Sequence, residues 1–379
     1  MQITKEFFEE ITEGSTKIMV PKGSIQELVP PKEPAFFNPK AKVTRDFSIV
    51  AYKAFLKNFN GPKIFLEGLS GVGARGLRVA NELKVEKVII NDLNPSALEL
   101  AKFSADLNKL ENIEFSENEI CRFFSQYSKK GNRGSIVDID PFGSSAEFFD
   151  CGLRATMHGG ILSCTSTDLQ VLHGLFQNAC RRKYGGIPIR TEYGNEIAIR
   201  LILGCLRIVA GRLGIEISPL YVESNMHYYR TYVNVFNRSD QEENLGFINH
   251  CSNCGNRVMS LEKENNCGIC DSQNKFAGPL WIGKIFNKEF VNNMFLVQEE
   301  CNIEKKYKII LQKCLLESEM PGTYFTLDEI AERMKGSPLK LRNALTKLSE
   351  SGFVSSPTSF NPTGFRTNAK INEIIDVFS

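Results

Sequence analysis

No stretch of this 379-residue chain reaches the roughly 18 consecutive apolar residues that a membrane-spanning helix requires. The start, Met1 to Glu10, carries acids and lacks both an apolar signal core and an Arg-rich transit pattern, so it reads as mature protein with a cytoplasmic location expected. Strong charge of either sign is missing too. With 46 Lys and Arg against 44 Asp and Glu, the net charge is only +2, which neither demands nor excludes a nucleic-acid partner; any basic surface must be local. No disulfide framework is readable. Of eleven cysteines, four form one tight cluster and seven (Cys121, Cys151, Cys164, Cys180, Cys205, Cys301, Cys314) are scattered, mostly in apolar contexts, which predicts reduced, buried thiols.

What the chain does have is 42% hydrophobic and 24% charged residues, the composition of an ordinary globular protein, and length enough for two or three domains. Residues 1–60 carry Pro21, Pro30, Pro31, Pro34 and Pro39, which predicts an extended or turning segment, followed by a helix from Thr44. Residues 61–170 alternate between short apolar runs and helical patterns, with strands expected at 63–66, 88–92, 113–115, 135–139 and 160–165. Helix-length crossovers between such strands mean an α/β fold with a parallel-type, doubly wound sheet. A helix at 196–212 and a strand at 228–235 extend this unit, and the polar link 240–244 is a candidate boundary. Domains are therefore expected at 1–240 and 241–379.

Glu67-Gly-Leu-Ser-Gly-Val-Gly-Ala-Arg-Gly76 follows the first strand of the sheet and opens a helix. Gly71, Gly73 and Gly76 match the spacing of a nucleotide-binding turn. Asp92 ends the second strand, where a carboxylate can take both ribose hydroxyls of a nucleoside cofactor, and Glu119 follows the third. An acid after each of three successive strands suits an adenosine pocket without a pyrophosphate. S-adenosylmethionine fits such a pocket, because Glu67 and its neighbours favour a cationic sulfonium where they would repel a phosphate.

The fourth strand ends in Asp138-Ile-Asp-Pro-Phe-Gly143. Its tip displays Asp140, which can accept a hydrogen bond from an exocyclic amine and then its proton, and Phe142, on which a flipped-out base can stack. Phe36 or Phe37 is a candidate for the opposite face of the base. Asp138, one position inside the strand's end, is expected to be structural.

Cys251-Ser-Asn-Cys254 and Cys267-Gly-Ile-Cys270 are two CxxC pairs at knuckle spacing. Cys251, Cys254, Cys267 and Cys270 fit a closed, tetrahedral structural zinc site within a module spanning 248–274. Residues 302–379 read as helices followed by a short β segment, the pattern of a winged helix, with Arg366 on a loop able to reach a phosphate.

Taken together, Phe37-Asn-Pro39 with Arg45-Asp46, Asn91-Asp92 with Pro95, the Asp138–Gly143 stretch, Thr167-Asp168, Arg182-Lys-Tyr-Gly185, His227-Tyr228 with Arg230 and Phe360-Asn-Pro-Thr-Gly364 resemble the tRNA guanine-26 N2-dimethyltransferase family, archaeal type, over nearly the whole length. The resemblance implies a Rossmann-like methyltransferase domain and a C-terminal tRNA-binding domain. It also implies S-adenosylmethionine held by Arg45, Arg75, Asp92, Glu119 and the backbone of Ile120, with Asp140, Phe142 and Phe36 in the reacting site. Glu119 stands where the family usually has Asp. The expected partner is tRNA, the expected form a monomer. Two other readings remain at this point: an N6-adenine methyltransferase of RNA or DNA, which uses a similar turn, and a non-catalytic nucleic-acid-binding protein.

Overall fold

The computed structural model describes residues 6–238 and 244–379. Strands β1 (Phe8–Glu13) and β2 (Thr16–Pro21) form an antiparallel hairpin where an extended, proline-punctuated segment was expected. Gly14, at φ 59°, makes its turn. A bidentate contact from Arg45, on the helix Lys42–Asn58, to the buried Glu13 pins the hairpin to the domain.

Strands β3 (Ile64–Glu67), β4 (Lys87–Asn91), β5 (Ile113–Ser116), β6 (Gly134–Ile139), β7 (Thr156–Ser166), β8 (Glu216–Asn225) and β9 (Tyr228–Phe236) make one seven-stranded sheet in the order β5-β4-β3-β6-β7-β9-β8. The first five run parallel, joined by helices, and β9 and β8 close that edge as an antiparallel pair. The β-branched runs explain the middle. Ile136, Val137 and Ile139 of β6 are fully buried, as expected for a strand covered on both faces. The chain order jumps at β3, with β4 on one side and β6 on the other, and at such a switch point a crevice opens beyond the strands' carboxyl ends.

The predicted boundary at 240/241 and all of the link that suggested it except Asn244 lie outside the described residues. Beyond it, β10 (Leu245–Cys251), β11 (Arg257–Ser260) and β12 (Asn274–Trp281) form a three-stranded sheet. The helix Gly194–Arg212 packs on β12 so closely that a Cβ at Gly204 would lie 2.8 Å from the Cα of Leu280. The main core accordingly runs from the large sheet on through Leu280, Trp281, Phe286, Phe290 and Tyr307. A second, smaller core gathers Phe325, Leu327, Ile330, Ala344, Leu348, Phe365 and Ile374 around the helices Leu327–Met334, Leu341–Glu350 and Ile371–Phe378 and the strands β13 (Phe325–Thr326), β14 (Ser355–Pro357) and β15 (Gly364–Thr367). Among the described residues no helix is long and apolar enough to cross a membrane.

Two expectations are corrected here. Cys121 and Cys151 are joined as a disulfide, because the helices Ile120–Gln126 and Phe149–Ala155 pack side by side and bring the two Cα atoms to 5.4 Å, a proximity that a separation of 30 residues conceals. Arg366 reaches no phosphate. It lies buried on β15, its guanidinium 2.6 Å from Glu317 and 3.0 Å from Glu196, and so ties the winged part to the helix Gly194–Arg212.

Candidate active site

The crevice beyond β3, β4, β6 and β7 is a cleft of about 580 Å³. Each strand end contributes through a local reason. After β3 the chain turns on Gly71 (φ 53°) and Gly73 (φ 73°), a left-handed backbone that glycine adopts without strain. A Cβ at Gly76 would sit 2.5 Å from Oε2 of Glu67, the oxygen that accepts the Gly76 N–H. After β4, Asp92 accepts from the backbone N–H of Gly71 (2.6 Å) and of Asn94 (2.9 Å), so it ties the glycine turn to the next helix. Burial raises the Asp92 pKa against these N–H donors. After β6, the turn through Pro141 and Gly143 is closed by Thr167, whose hydroxyl accepts from Gly143 N–H at 2.8 Å while its own N–H reaches Gly143 O at 2.7 Å.

Asp138 and Asp140 share one face of β6 and have opposite surroundings. Asp138 is fully buried and accepts from Tyr52, Ser163 and Arg230. Burial pushes its pKa up, but Arg230 and then Arg75 outweigh this and hold it below the usual carboxylate range. Asp140, with 29% of its side chain exposed, faces the cleft, and its Oδ2 is held by Arg75. Arg75 in turn donates to Ser48 Oγ at 2.7 Å, and Arg230 lies 3.9 Å from the same carboxylate. The guanidinium fork thus fixes Asp140 Oδ2, and both arginines spend their contact on that one oxygen.

Phe142 is 62% exposed at the rim. It meets Phe36 edge to face, with ring centroids 4.7 Å apart and planes at 78°. Phe37 is buried under the Arg45 guanidinium. Of the two phenylalanines, then, Phe36 is the one beside Phe142. A base sandwiched between two rings needs about 7 Å, twice a van der Waals contact of about 3.5 Å, so entry of a base requires the pair to separate.

The cleft brings together Phe36, Arg45, Glu67, Arg75, Asp92, Asp140 and Phe142. It does not bring in Glu119 or Ile120. Glu119 spends both oxygens capping its own helix, accepting from the N–H of Cys121 and Arg122, and Ile120 packs beneath Gly68. The expected cationic preference of Glu67 is also weakened, because burial and then the neighbouring Asp138 push its pKa well above the ordinary value. Arg230, Tyr52 and Ser163, which lock Asp138, were not singled out for this role from sequence. The signals for Arg230 were its place inside the alternating run 228–235 and beside His227-Tyr228 in the family resemblance; Tyr52 and Ser163 carried none.

A separate site lies in the smaller sheet. The Sγ atoms of Cys251, Cys254, Cys267 and Cys270 all fall within 4.8 Å of one another. Four thiolates about 2.3 Å from a tetrahedral ion would be about 3.8 Å apart, so the set fits zinc. The amides of Asn253 and Asn256 lie 3.7 Å from Cys270 and Cys267, and the backbone N–H of Ile269 lies 3.4 Å from Cys267, the usual support for thiolate sulfur.

Comparison with known proteins gives a consistent result. The profile of N2,N2-dimethylguanosine tRNA methyltransferases matches residues 14–379. A tRNA (guanine(26)-N(2))-dimethyltransferase of Methanosphaera stadtmanae is 32% identical over 381 residues, covering 96% of this chain and 95% of the relative. The enzyme of the same description from Methanothermobacter thermautotrophicus is 32% identical over 383 residues, with 97% and 98% covered. Trm1 from Pyrococcus horikoshii, solved in complex with S-adenosyl-L-methionine, superposes with a TM-score of 0.84 at 27% identity, covering 97% of this chain and 99% of that one. With its whole fold and all but its first residues matched, the chain belongs to the N2,N2-dimethylguanosine tRNA methyltransferase family.

Proposed function

We propose that this protein transfers methyl groups to the exocyclic N2 amine of guanosine 26 in tRNA, giving N2-methyl- and then N2,N2-dimethylguanosine, with Asp140 as the carboxylate that receives the amine. The observation carrying this reading is the placement of Asp140, clamped by Arg75, in one cleft with Asp92 and the Phe36–Phe142 pair.

S-adenosylmethionine supplies an electrophilic methyl group on a sulfonium. Asp92, on the cleft wall just beyond β4, is the residue to hold ribose hydroxyls, and the left-handed turn at Gly71 lets backbone come close beside it. Arg45 and Arg75 are engaged by Glu13 and Asp140, so they shape the wall more than they offer free donors. Phe142 and Phe36 take the guanine between them once they part. Asp140 Oδ1 accepts an N–H of the amine and thereby aims its lone pair away from the carboxylate and into the cleft. The four cysteines hold zinc as a brace, since a closed four-thiolate set leaves no open position. A tRNA substrate supports a cytoplasmic location.

Asp140→Ala tests the assignment. Single-turnover transfer should drop by about 100-fold or more, while cofactor affinity measured by calorimetry stays within about threefold of wild type. Normal turnover in the variant would remove Asp140 from the reaction.

A further inference from the structure

Glu223 is the odd carboxylate of the catalytic core. It lies buried on β8, and among the described residues it forms no ion pair, whereas Asp138 has Arg230, Glu13 has Arg45 and Asp46 has Arg78. Two phenols serve it instead. Tyr228 donates to Oε2 at 3.1 Å and Tyr232 to Oε1 at 2.8 Å. A buried carboxylate without a contact ion pair is costly and has few purely structural reasons to exist.

Its connections lead back to the chemistry. Tyr232 Oη lies 3.1 Å from Ser48 Oγ, whose own proton goes to Thr44 O; Ser48 accepts from Arg75 at 2.7 Å, and the other arm of Arg75 holds Asp140. At the opposite end, Tyr228 is itself part of the cleft wall. A chain of polar contacts therefore leaves the cleft at Asp140, crosses the interior, and returns to the cleft at Tyr228.

On the reading given above, each transfer forms an N–C bond, breaks the sulfonium's C–S bond, and leaves the amine cationic with one proton to lose. Keeping that proton on Asp140 would cost the ion pair with Arg75. We propose that Tyr228 and Glu223 form the outlet for this proton: it passes to Tyr228 Oη, the phenol's own proton moves to Glu223 Oε2, and both groups end neutral until the open cleft returns the proton to water. Glu223 touches no reacting atom. It is a positioning residue that directs the phenol and receives its proton.

The surroundings suit the role. Burial lifts the Glu223 carboxyl to about 7, against the opposing pull of Arg230 and the two phenolic donors. The groups facing it are Tyr228, Arg230 and Tyr232 from β9, Arg75 from the helix Ala74–Glu82, Cys314 from the helix Tyr307–Glu317, and Tyr221 on its own strand. Burial and then Glu223 push Tyr228 well above the ordinary phenol range, so it stays neutral and relays a proton without storing a charge.

The direct test is the infrared difference spectrum between the ligand-free wild-type protein and Glu223→Gln, followed from about pH 5 to about pH 9. A protonated-carboxyl band absent from the variant should fade with a midpoint of about 7. Absence of any such band above about pH 5 overturns the proposal. In single-turnover transfer to tRNA, the ionised form is the acceptor, so the wild-type rate should climb as pH rises through the same midpoint. Glu223→Gln and Tyr228→Phe should each be slowed about tenfold or more and lose that limb, at unchanged cofactor affinity, and Glu223→Asp should restore it. Both variants keeping the limb, with rates within about twofold of wild type, would equally overturn it. Failure of the wild type to methylate guanosine sinks the reading of the cleft but leaves the infrared midpoint in place; loss of the midpoint with transfer intact sinks the relay alone.

Discussion

Arg75 decides where Asp140 points. Its fork spans Ser48 and Asp140 while its Nε lies 3.5 Å from Asp138, so three elements are registered through one guanidinium. Lysine keeps the charge but offers a single point donor that cannot hold both partners. Arg75→Lys should lower single-turnover transfer by about 10- to 100-fold with cofactor affinity changed by less than about threefold. A weakened affinity at an unchanged rate would instead make Arg75 a cofactor ligand. At this scale the site was partly legible in the sequence. Asp140, Phe142 and Asp92 stand at strand ends, where a break in the β-branched runs marks them out. The assignment of Asp138 to a structural role rested on its position one step inside the strand, and its buried partners Tyr52, Ser163 and Arg230 accord with it. Those partners come from three distant segments, so no local pattern could name them. Glu119 illustrates the opposite limit. A carboxylate just before a helix satisfies that helix first, and the sequence pattern of an acid after a strand does not distinguish a cap from a ligand.

The parallel strands were readable because each is a short apolar run followed by a turn and a helical period. The hairpin β1–β2 was not, since Pro21 and the mixed polarity of residues 8–21 blur its alternation, and it is held by distant partners such as Arg45 on Glu13, Glu82 on Thr16 and Ser104 on Met19. The zinc module was readable outright from two CxxC pairs. Its coupling to the winged part was not. Arg333 lies over Gly255, where a Cβ would come within 2.6 Å of the guanidinium, and donates to Asn253 O at 3.0 Å, while Arg257 pairs with the buried Glu329 at 2.6 Å. The knuckle is thus the platform on which residues 325–378 rest. Chelating the metal, or Cys267→Ser, should raise amide exchange in 325–378 about tenfold or more and leave β3, β4 and β6 protected as before, measured by hydrogen-exchange mass spectrometry. Unchanged exchange in the winged part would show that the two elements are independent.

At the scale of the molecule, the second half is joined to the first by close contacts rather than a loose tether. Gly204 admits β12 against the helix Gly194–Arg212, and the Glu196–Arg366–Glu317 cluster is buried between the two parts, with Arg366 and Arg200 outweighing the effect of burial to bring the Glu196 pKa down to about 2. A division at 240/241 read from a polar run in the sequence says nothing of this, because the core continues through residues that meet only after folding. The consequence for function is a fixed geometry between the cleft and the winged part, suited to choosing one nucleotide within a large folded RNA. The most direct test of the central claim is mass spectrometry of nucleosides from tRNA transcripts, bearing guanosine or adenosine at position 26, after reaction with the protein and S-adenosylmethionine. N2-methyl- and N2,N2-dimethylguanosine should form from the guanosine transcript alone. Methyladenosine, or equal methylation of both transcripts, would contradict it.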